Sequence, residues 1–296
     1  MSQAFRMPQP FPFEEIIADL DAIDHWLRER GLQAHDRIRT YRKNIRQMIA
    51  VQESDEKLET LQNITDERLR EIVWSYVEAE EFVRAVLPLR AVIGADLLAV
   101  QIKKALDGPA DLYLETRKNN RGRNFMFELI MGGRMAKGGF VPVFDQGPDL
   151  QFQLRGLRVA MQCKRPFSIE GMEESIGKAI AQLKADAADL SIIAVSVSRL
   201  WNAGDPREIP ILDHHTMGHP FLDARIKQIA HVSSRFWKEK LEHAAIFFYG
   251  YSPIRWRMEN GRFGNVTVRA EIICPVTTSD EPTKQRLKVL IHELGP

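Results

Sequence analysis

The sequence predicts an α/β domain preceded by an α-helical region. From about Phe13 to Leu106, apolar side chains recur every three or four residues, which is typical of amphipathic helices. After about residue 108, helical stretches alternate with short runs of β-branched and aromatic residues, which indicates a sheet with helices packed on it. The 296 residues are 44% hydrophobic, enough to bury a large core. We therefore predict a helical N-terminal region, residues 1–107, and an α/β domain, residues 108–296.

Four helices are predicted in the N-terminal region. The first begins at Phe13 and ends at Gly31, because glycine suits the position after a helix. The third begins after Thr65, a favourable N-cap, and Pro88 is predicted to end it. The second and fourth helices cover about residues 34–52 and 89–106. Short loops between these helices favour antiparallel neighbours.

Strands and helices are predicted to alternate in the α/β domain. The predicted strands are residues 140–144, 149–155, 158–164, 191–198, 243–251 and 266–276. The predicted helices cover about residues 119–138 and 172–190, a segment that ends near Leu241, and a final segment from about Lys284. The intervening stretch from Arg199 to Pro220 is predicted to be a loop insertion, because prolines and glycines interrupt any regular period.

Charge and cysteine content restrict the classes of function. The formal net charge is +1, so the chain as a whole carries no basic field that indicates a nucleic-acid partner. Two cysteines, Cys163 and Cys274, and no apolar leader point to a reducing, cytoplasmic location. The longest apolar runs are too short to cross a bilayer as helices, so no membrane segment is expected.

One short segment is strongly basic. The run "RKNNRGR", Arg117 to Arg123, holds four cations and no acid, just before a predicted helix. Such a run is either a solvated loop or a contact surface for an anionic partner.

Polar side chains gather at one end of a predicted β-hairpin. Gly156 separates the two strands, and alternate residues of a strand face the same side. Gln162 and Lys164 therefore share a face, and antiparallel pairing brings Asp149 to the same open end of the hairpin. An acid, an amide and an amine are thus predicted to converge.

A second acid belongs to the preceding helix. Glu128 is the only acid in the apolar run 125–131, and an unpaired carboxylate on a packed helix needs solvent, a cation or a metal. With Asp149 and the Gln162 amide it offers the hard oxygen donors that Mg²⁺ or Mn²⁺ prefers. Lys164 supplies a positive charge beside them.

Helical Glu128, "PD" at Pro148-Asp149 and "QCK" at Gln162 to Lys164, in the order helix, strand, strand, helix, resemble the PD-(D/E)xK nuclease superfamily. The resemblance covers about residues 118–198. It implies a restriction-endonuclease-like fold, a mixed sheet flanked by helices. Asp149 and Gln162 are then metal ligands, Glu128 is an additional ligand, and Lys164 polarises the attacking water. Gln162 stands where the superfamily's usual second acid lies, a change that occurs both in active members and in members that have lost activity.

The activity that the resemblance implies is hydrolysis of a DNA phosphodiester with Mg²⁺ or Mn²⁺, which leaves a 5′-phosphate. RNA stays open as a substrate. Intracellular nucleases of this type often act against foreign DNA, so the resemblance extends to a role in prokaryotic defence. The side chains chosen for contact with the nucleic acid are Arg117, Lys118, Arg121 and Arg123 in the basic run, and Lys178 and Gln182 on the helix after the hairpin.

Three other interpretations remain open. The first is a nuclease-fold protein without turnover that binds nucleic acid or acts as a scaffold, which Gln162 suggests. The second is a helical regulatory or interaction protein in which residues 1–107 form a homodimer or larger homo-oligomer. The third is an ordinary hairpin in which Asp149 caps a turn, Lys164 is solvated and Glu128 pairs with Arg121 or Lys137.

The loop insertion contains a histidine-rich string. "DHHTMGH" places His215 and His219 four residues apart, a spacing that zinc sites use, and Asp-His-His occurs in a family of phosphoesterases. The adjoining Gly218 and Pro220 favour a surface or lid loop instead.

Overall fold

The computed structural model describes residues 13–33, 36–53, 65–110, 112–144, 147–200, 208–237, 244–257, 263–275, 281–282 and 285. Within these ranges the chain is α/β, with seven α-helices and a mixed six-stranded sheet. The predicted class is therefore confirmed. None of the helices in these ranges is both long and apolar enough to cross a membrane.

The four N-terminal helices are present. They are α1, Phe13–Arg28; α2, Asp36–Glu53; α3, Asp66–Val92; and α4, Ala95–Leu106. Gly31 follows α1 with a φ of 73°, the left-handed conformation that glycine adopts without a steric cost. Thr65 caps α3, and its side chain accepts a hydrogen bond from the Arg68 N–H. These boundaries agree with the sequence prediction.

The prediction that Pro88 ends the third helix is wrong. The helix continues through Pro88 to Val92. A proline removes one backbone hydrogen bond and crowds the preceding turn, at a cost of about 3 kcal/mol. Phe82, Val86 and Leu89 on this part of α3 are fully buried, and the packing of such side chains outweighs that cost.

The described residues of the α/β part contain three of the helices and all six strands. In chain order they are α5, Arg121–Lys137; β1, Leu150–Leu154; β2, Leu157–Lys164; α6, Ile169–Lys184; β3, Leu190–Ser196; β4, Ile211–Leu212; α7, Gly218–Ser233; β5, Ala244–Arg257; and β6, Phe263–Pro275. The strand order is β1-β2-β3-β5-β4, and β6 pairs with β5. β1 with β2 and β5 with β6 are antiparallel, whereas the pairs β2–β3, β3–β5 and β4–β5 are parallel.

Four sequence predictions in this part differ from the structure, the first being the helix predicted over residues 172–190, which is α6, Ile169–Lys184. Residues 140–144 form only an isolated bridge between Val143 and Gln151, because Val141 and Val143 are half exposed and have no apolar layer to pack on. α7 begins at Gly218, inside the predicted loop, since a proline in the first turn of a helix breaks no hydrogen bond. The helix predicted to reach Leu241 ends at Ser233, followed by a short 3₁₀ turn to Phe236. Leu241 and most of the predicted final helix lie outside the described residues.

Helices cover both faces of the sheet. On one face Val159, Met161 and Cys163 pack with α5 and the N-terminal helices, whereas Ala160 and Ile193 pack with α6 and α7 on the other. The apolar stripes of α1 to α4 join the first of these cores, so the chain itself covers them. The division at residue 107 and the oligomer through the N-terminal helices stay predictions.

Candidate active site at the open end of the β1–β2 hairpin

The β1–β2 hairpin has the turn and the register that the sequence predicts. Arg155 and Gly156 at its tip have φ values of 50° and 83°, as a two-residue hairpin turn requires. Leu150 lies opposite Met161, so Asp149, one residue before β1, comes level with Gln162. At the far end of the hairpin from the turn, the two strands therefore bring their polar side chains together.

Asp149, Gln162 and Lys164 form one hydrogen-bonded group. The Lys164 ammonium donates to the Gln162 amide oxygen at 2.8 Å and to Oδ2 of Asp149 at 3.4 Å. The Cys163 N–H also donates to Oδ2 of Asp149, at 2.7 Å, which fixes the carboxylate against the start of the hairpin. The Asp149 and Lys164 side chains are 23% and 17% exposed, whereas Gln162 is fully buried, so solvent reaches the group at Asp149 and Lys164. The convergence expected from strand parity is present in the structure.

Glu128 lies close to this group. Burial, with a smaller contribution from the Asp149 charge, raises the pKa of Glu128 to about 8, and Lys164 and Lys104 partly oppose this shift. Within the described residues it makes no ion pair or hydrogen bond, so the alternative pairing with Arg121 or Lys137 is not found. A half-buried carboxyl without a partner is costly to ionise, and a divalent cation would remove that cost.

The donor chemistry fits a hard divalent cation. Glu128 and Asp149 supply carboxylate oxygens, and Gln162 supplies an amide oxygen that accepts a hydrogen bond from Lys164. No group of three or more His, Cys, Asp or Glu side chains in the described part of the chain is arranged to hold a metal. The candidate site has only two such side chains, Glu128 and Asp149, together with the Gln162 amide. The observation that favours a cation here is that the Glu128 carboxyl has no partner among the described residues.

Three of the predicted phosphate contacts are solvent-exposed. Arg117 and Lys118 precede α5, and Arg121 opens it with its guanidinium 5.5 Å from the Phe125 ring centroid. These side chains are on the surface, where phosphate groups have access.

The predicted contacts on α6 are also exposed. Lys178 pairs with Glu174 at 2.6 Å, and Gln182 lies one turn later on the same solvent side. Lys178 and, more weakly, Arg117 lower the pKa of Glu174, so the basic run approaches this helix.

The prediction that Arg123 contacts nucleic acid does not agree with the structure. Its side chain is 4% exposed, and Nε and Nη2 donate to the two carboxylate oxygens of Glu78 at 2.8 and 3.0 Å. Further bonds go to the carbonyl oxygens of Pro109 and Ala110. A guanidinium whose donors are committed inside the fold has none to offer a phosphate. Arg123 therefore joins α5 to α3 and does not serve as the predicted nucleic-acid contact.

Sequence reasoning missed a neighbouring ion cluster. The Glu115 side chain is fully buried and binds Arg165, the residue after Lys164, and Arg199. These partners lie 50 and 84 positions from Glu115 along the chain. The adjacency of Arg165 to Lys164 is the one signal in the sequence that pointed to this cluster.

No zinc site forms among the described residues of the histidine-rich string, and the side chain of His215, one of its two spaced histidines, lies outside them. Asp213 and His214 are exposed, and His214 Nδ1 lies 2.8 Å from the Thr216 hydroxyl. Burial lowers the pKa of His219, which lies in the first turn of α7. The string therefore spans a short 3₁₀ turn and a helix start.

Comparisons with protein-family models, with curated proteins and with solved structures find no match for this chain. The interpretation of the site therefore depends on the geometry and chemistry of its own residues.

Proposed function

We propose that this protein is a metal-dependent nuclease of the PD-(D/E)xK superfamily, with a restriction-endonuclease-like fold, that hydrolyses DNA phosphodiester bonds. The observation that carries the proposal is the group formed by Asp149, Gln162 and Lys164, with the unpaired Glu128 beside it. The order α5, antiparallel hairpin, α6 and parallel β3 is also the order that the resemblance implies.

The residues of the site have separate roles in this proposal. Asp149, Gln162 and Glu128 would hold Mg²⁺ or Mn²⁺, which supplies Lewis-acid stabilisation of charge on the phosphoryl oxygens when it is bound. Lys164 donates hydrogen bonds, so it orients the attacking water and offsets the charge that develops at the phosphorus centre. The Cys163 N–H keeps the Asp149 carboxylate in place during the reaction. In-line attack breaks the bond to the 3′-oxygen, which leaves with a proton, and the 5′-phosphate remains on the other product.

The test is cleavage of labelled single- and double-stranded DNA and RNA with Mg²⁺, with Mn²⁺ and with a chelator. Asp149→Asn and Lys164→Ala should each lower the cleavage rate at least about 100-fold, because each removes charge stabilisation at the reacting phosphate. Asp96→Asn on α4 and Lys227→Ala on α7 are exposed controls of the same chemistry. Cleavage that survives both site substitutions would refute the assigned site.

A second candidate is a protein of this fold that binds nucleic acid without cleaving it. The observation that favours it is Gln162, which replaces an acid and whose oxygen Lys164 already occupies. Tight binding with no cleavage under any metal condition would support this candidate against the nuclease.

A further inference from the structure

A pair of arginines lies beside the candidate site, on a buried carboxylate. Arg165 binds both oxygens of Glu115 with its two terminal nitrogens, and its Nη2 lies 2.9 Å from Oε2. Arg199 donates to the same oxygen, Oε2, through Nη1 at 2.8 Å. Glu115 has no exposed side-chain surface, so the two guanidiniums separate it from solvent.

The strand topology places both arginines at the end of the sheet that holds Lys164. Arg165 directly follows Lys164 at the end of β2. β3 runs parallel to β2 with Val195 opposite Lys164, and Arg199 comes four residues after Val195. Glu115 precedes the exposed Arg117 by two residues, so it also ties the basic run to this end of the sheet.

The cluster has an excess of positive charge. Two guanidiniums that are 7% and 14% exposed share one carboxylate. A surplus charge in a largely dry site is unfavourable until an opposite charge completes it. Burial lowers the pKa of Arg199, and the neighbouring Arg165 and Arg123 add to that effect, while Glu115 opposes it. Arg123 is already balanced by Glu78, so the surplus belongs to Arg165 and Arg199.

Arg199 still has donors to offer. Its guanidinium lies 4.0 Å from the centroid of the Phe167 ring, which fixes the plane of the group. Nη1 is the nitrogen that binds Glu115, and Nε and Nη2 make no hydrogen bond to the described residues. A planar fork with free donors is the geometry that recognises phosphate oxygens.

We infer that Arg165 and Arg199, oriented by Glu115, form a subsite for a backbone phosphate of the nucleic-acid strand next to the scissile bond. The inference rests on the proposed nuclease function. The arginines touch the phosphate, whereas Glu115 is a positioning residue that touches no substrate. The phosphate supplies the negative charge that the cluster lacks, and its place beside Lys164 aligns the strand with the metal ligands.

The first experiment measures binding of a labelled oligonucleotide by fluorescence anisotropy in a chelator, over a series of salt concentrations. Arg199→Gln should weaken binding about tenfold, because it removes a charge-assisted contact. The slope of log Kd against log salt should fall by about 0.9 for duplex DNA and about 0.7 for a single strand, the values for one phosphate contact. Arg158→Gln is the matched control, since Arg158 pairs with Asp186 at the opposite end of β2. It should leave affinity and slope unchanged.

A second experiment separates phosphate contact from a general effect on the fold. Oligonucleotides with one neutral methylphosphonate at successive positions are bound by the wild type and by Arg199→Gln. One position should cost the wild type about tenfold in affinity and cost the variant nothing, because the partner of that phosphate is gone. Glu115→Gln should shrink this difference, and Arg199→Lys should restore the salt slope but only part of the affinity. A purely structural role would weaken binding of all these oligonucleotides equally.

The outcomes distinguish this inference from the nuclease proposal. A wild type that cleaves DNA but shows no methylphosphonate-sensitive position coupled to Arg199 or Arg165 overturns the inference alone. A wild type that binds no oligonucleotide overturns both proposals. If circular dichroism shows that the glutamine variants do not fold, the methylphosphonate series is measured on the wild type and on Arg199→Lys only. A series in which no position is sensitive is sufficient to reject the subsite.

Discussion

Replacing Glu128 with glutamine should stabilise the metal-free protein, and the gain should grow as the pH rises. Burial raises the pKa of Glu128 from its ordinary 4.5 to about 8, with Asp149 adding to the effect and Lys164 opposing it. Between these two values the folded protein holds a proton that the unfolded chain has released. The contribution of the protonated Glu128 to the free energy of unfolding is complete below pH 4.5, and it is lost as the pH rises through about 8. Glutamine mimics the neutral form and avoids the loss.

The size of the effect follows from the two pKa values. At about 1.4 kcal/mol for each pKa unit, the change from 4.5 to about 8 sets a ceiling of about 5 kcal/mol. Water entry and rearrangement in a half-open site reduce it, so we expect a gain of about 2 kcal/mol at about pH 9 and almost none at about pH 5. Urea denaturation in a chelator measures this difference. Glu173→Gln, on the exposed side of α6, controls for the loss of one carboxylate.

Added metal should reverse the order of stability of the wild type and the Glu128→Gln variant. Mg²⁺ takes the place of the proton on Glu128, so it should stabilise the wild type more than the glutamine variant. A stability difference that stays constant with pH would refute the reasoning that Glu128 is a buried, unpaired carboxyl. Equal stabilisation of both proteins by Mg²⁺ would refute its role as a ligand.

Further substitutions test the packing of α5 on α3, the ion pair of Arg123 and the role of Gln162. Gly133→Ala should lower the free energy of unfolding, measured by urea denaturation, by about 3 kcal/mol, because the new Cβ would lie 2.5 Å from the backbone of α3. Gly177→Ala, which has open space around it, should instead raise this free energy by about 0.5–1 kcal/mol. Arg123→Ala should cost about 3–5 kcal/mol, since it removes the guanidinium that pairs with the buried Glu78 carboxylate; unchanged stability with weaker DNA binding would contradict this. Gln162→Glu should tighten Mg²⁺ binding about tenfold in calorimetry, because it adds a charged ligand, and an unchanged affinity would count against a ligand role.

The extent to which the sequence predicts this molecule depends on how far apart the interacting residues lie. Asp149, Gln162 and Lys164 fall within one hairpin, where parity and a single glycine turn determine which side chains meet. Arg123 was misplaced because its partner, Glu78, lies 45 positions away on another helix. The basic run from Arg117 to Arg123 therefore contains one cation, Arg123, that is buried in the protein. Local patterns carry no information on such pairings, which arise only when the helices pack.

If the proposed nuclease function holds, the charges of the site make glutamine at position 162 compatible with catalysis. Without metal, the Lys164 ammonium and the Asp149 carboxylate balance, and the raised pKa keeps Glu128 largely neutral near pH 7. Binding of a divalent cation would displace the Glu128 proton and leave a net charge of about +1 on the loaded site. One phosphodiester neutralises that charge. An acid at position 162 would make the loaded site neutral before the substrate arrives, so in the proposed nuclease the amide would favour capture of the phosphate at the expense of metal affinity. Calorimetry in buffers of different ionisation enthalpy tests this argument, because it requires uptake of Mg²⁺ to release close to one proton near pH 7 and much less in Glu128→Gln.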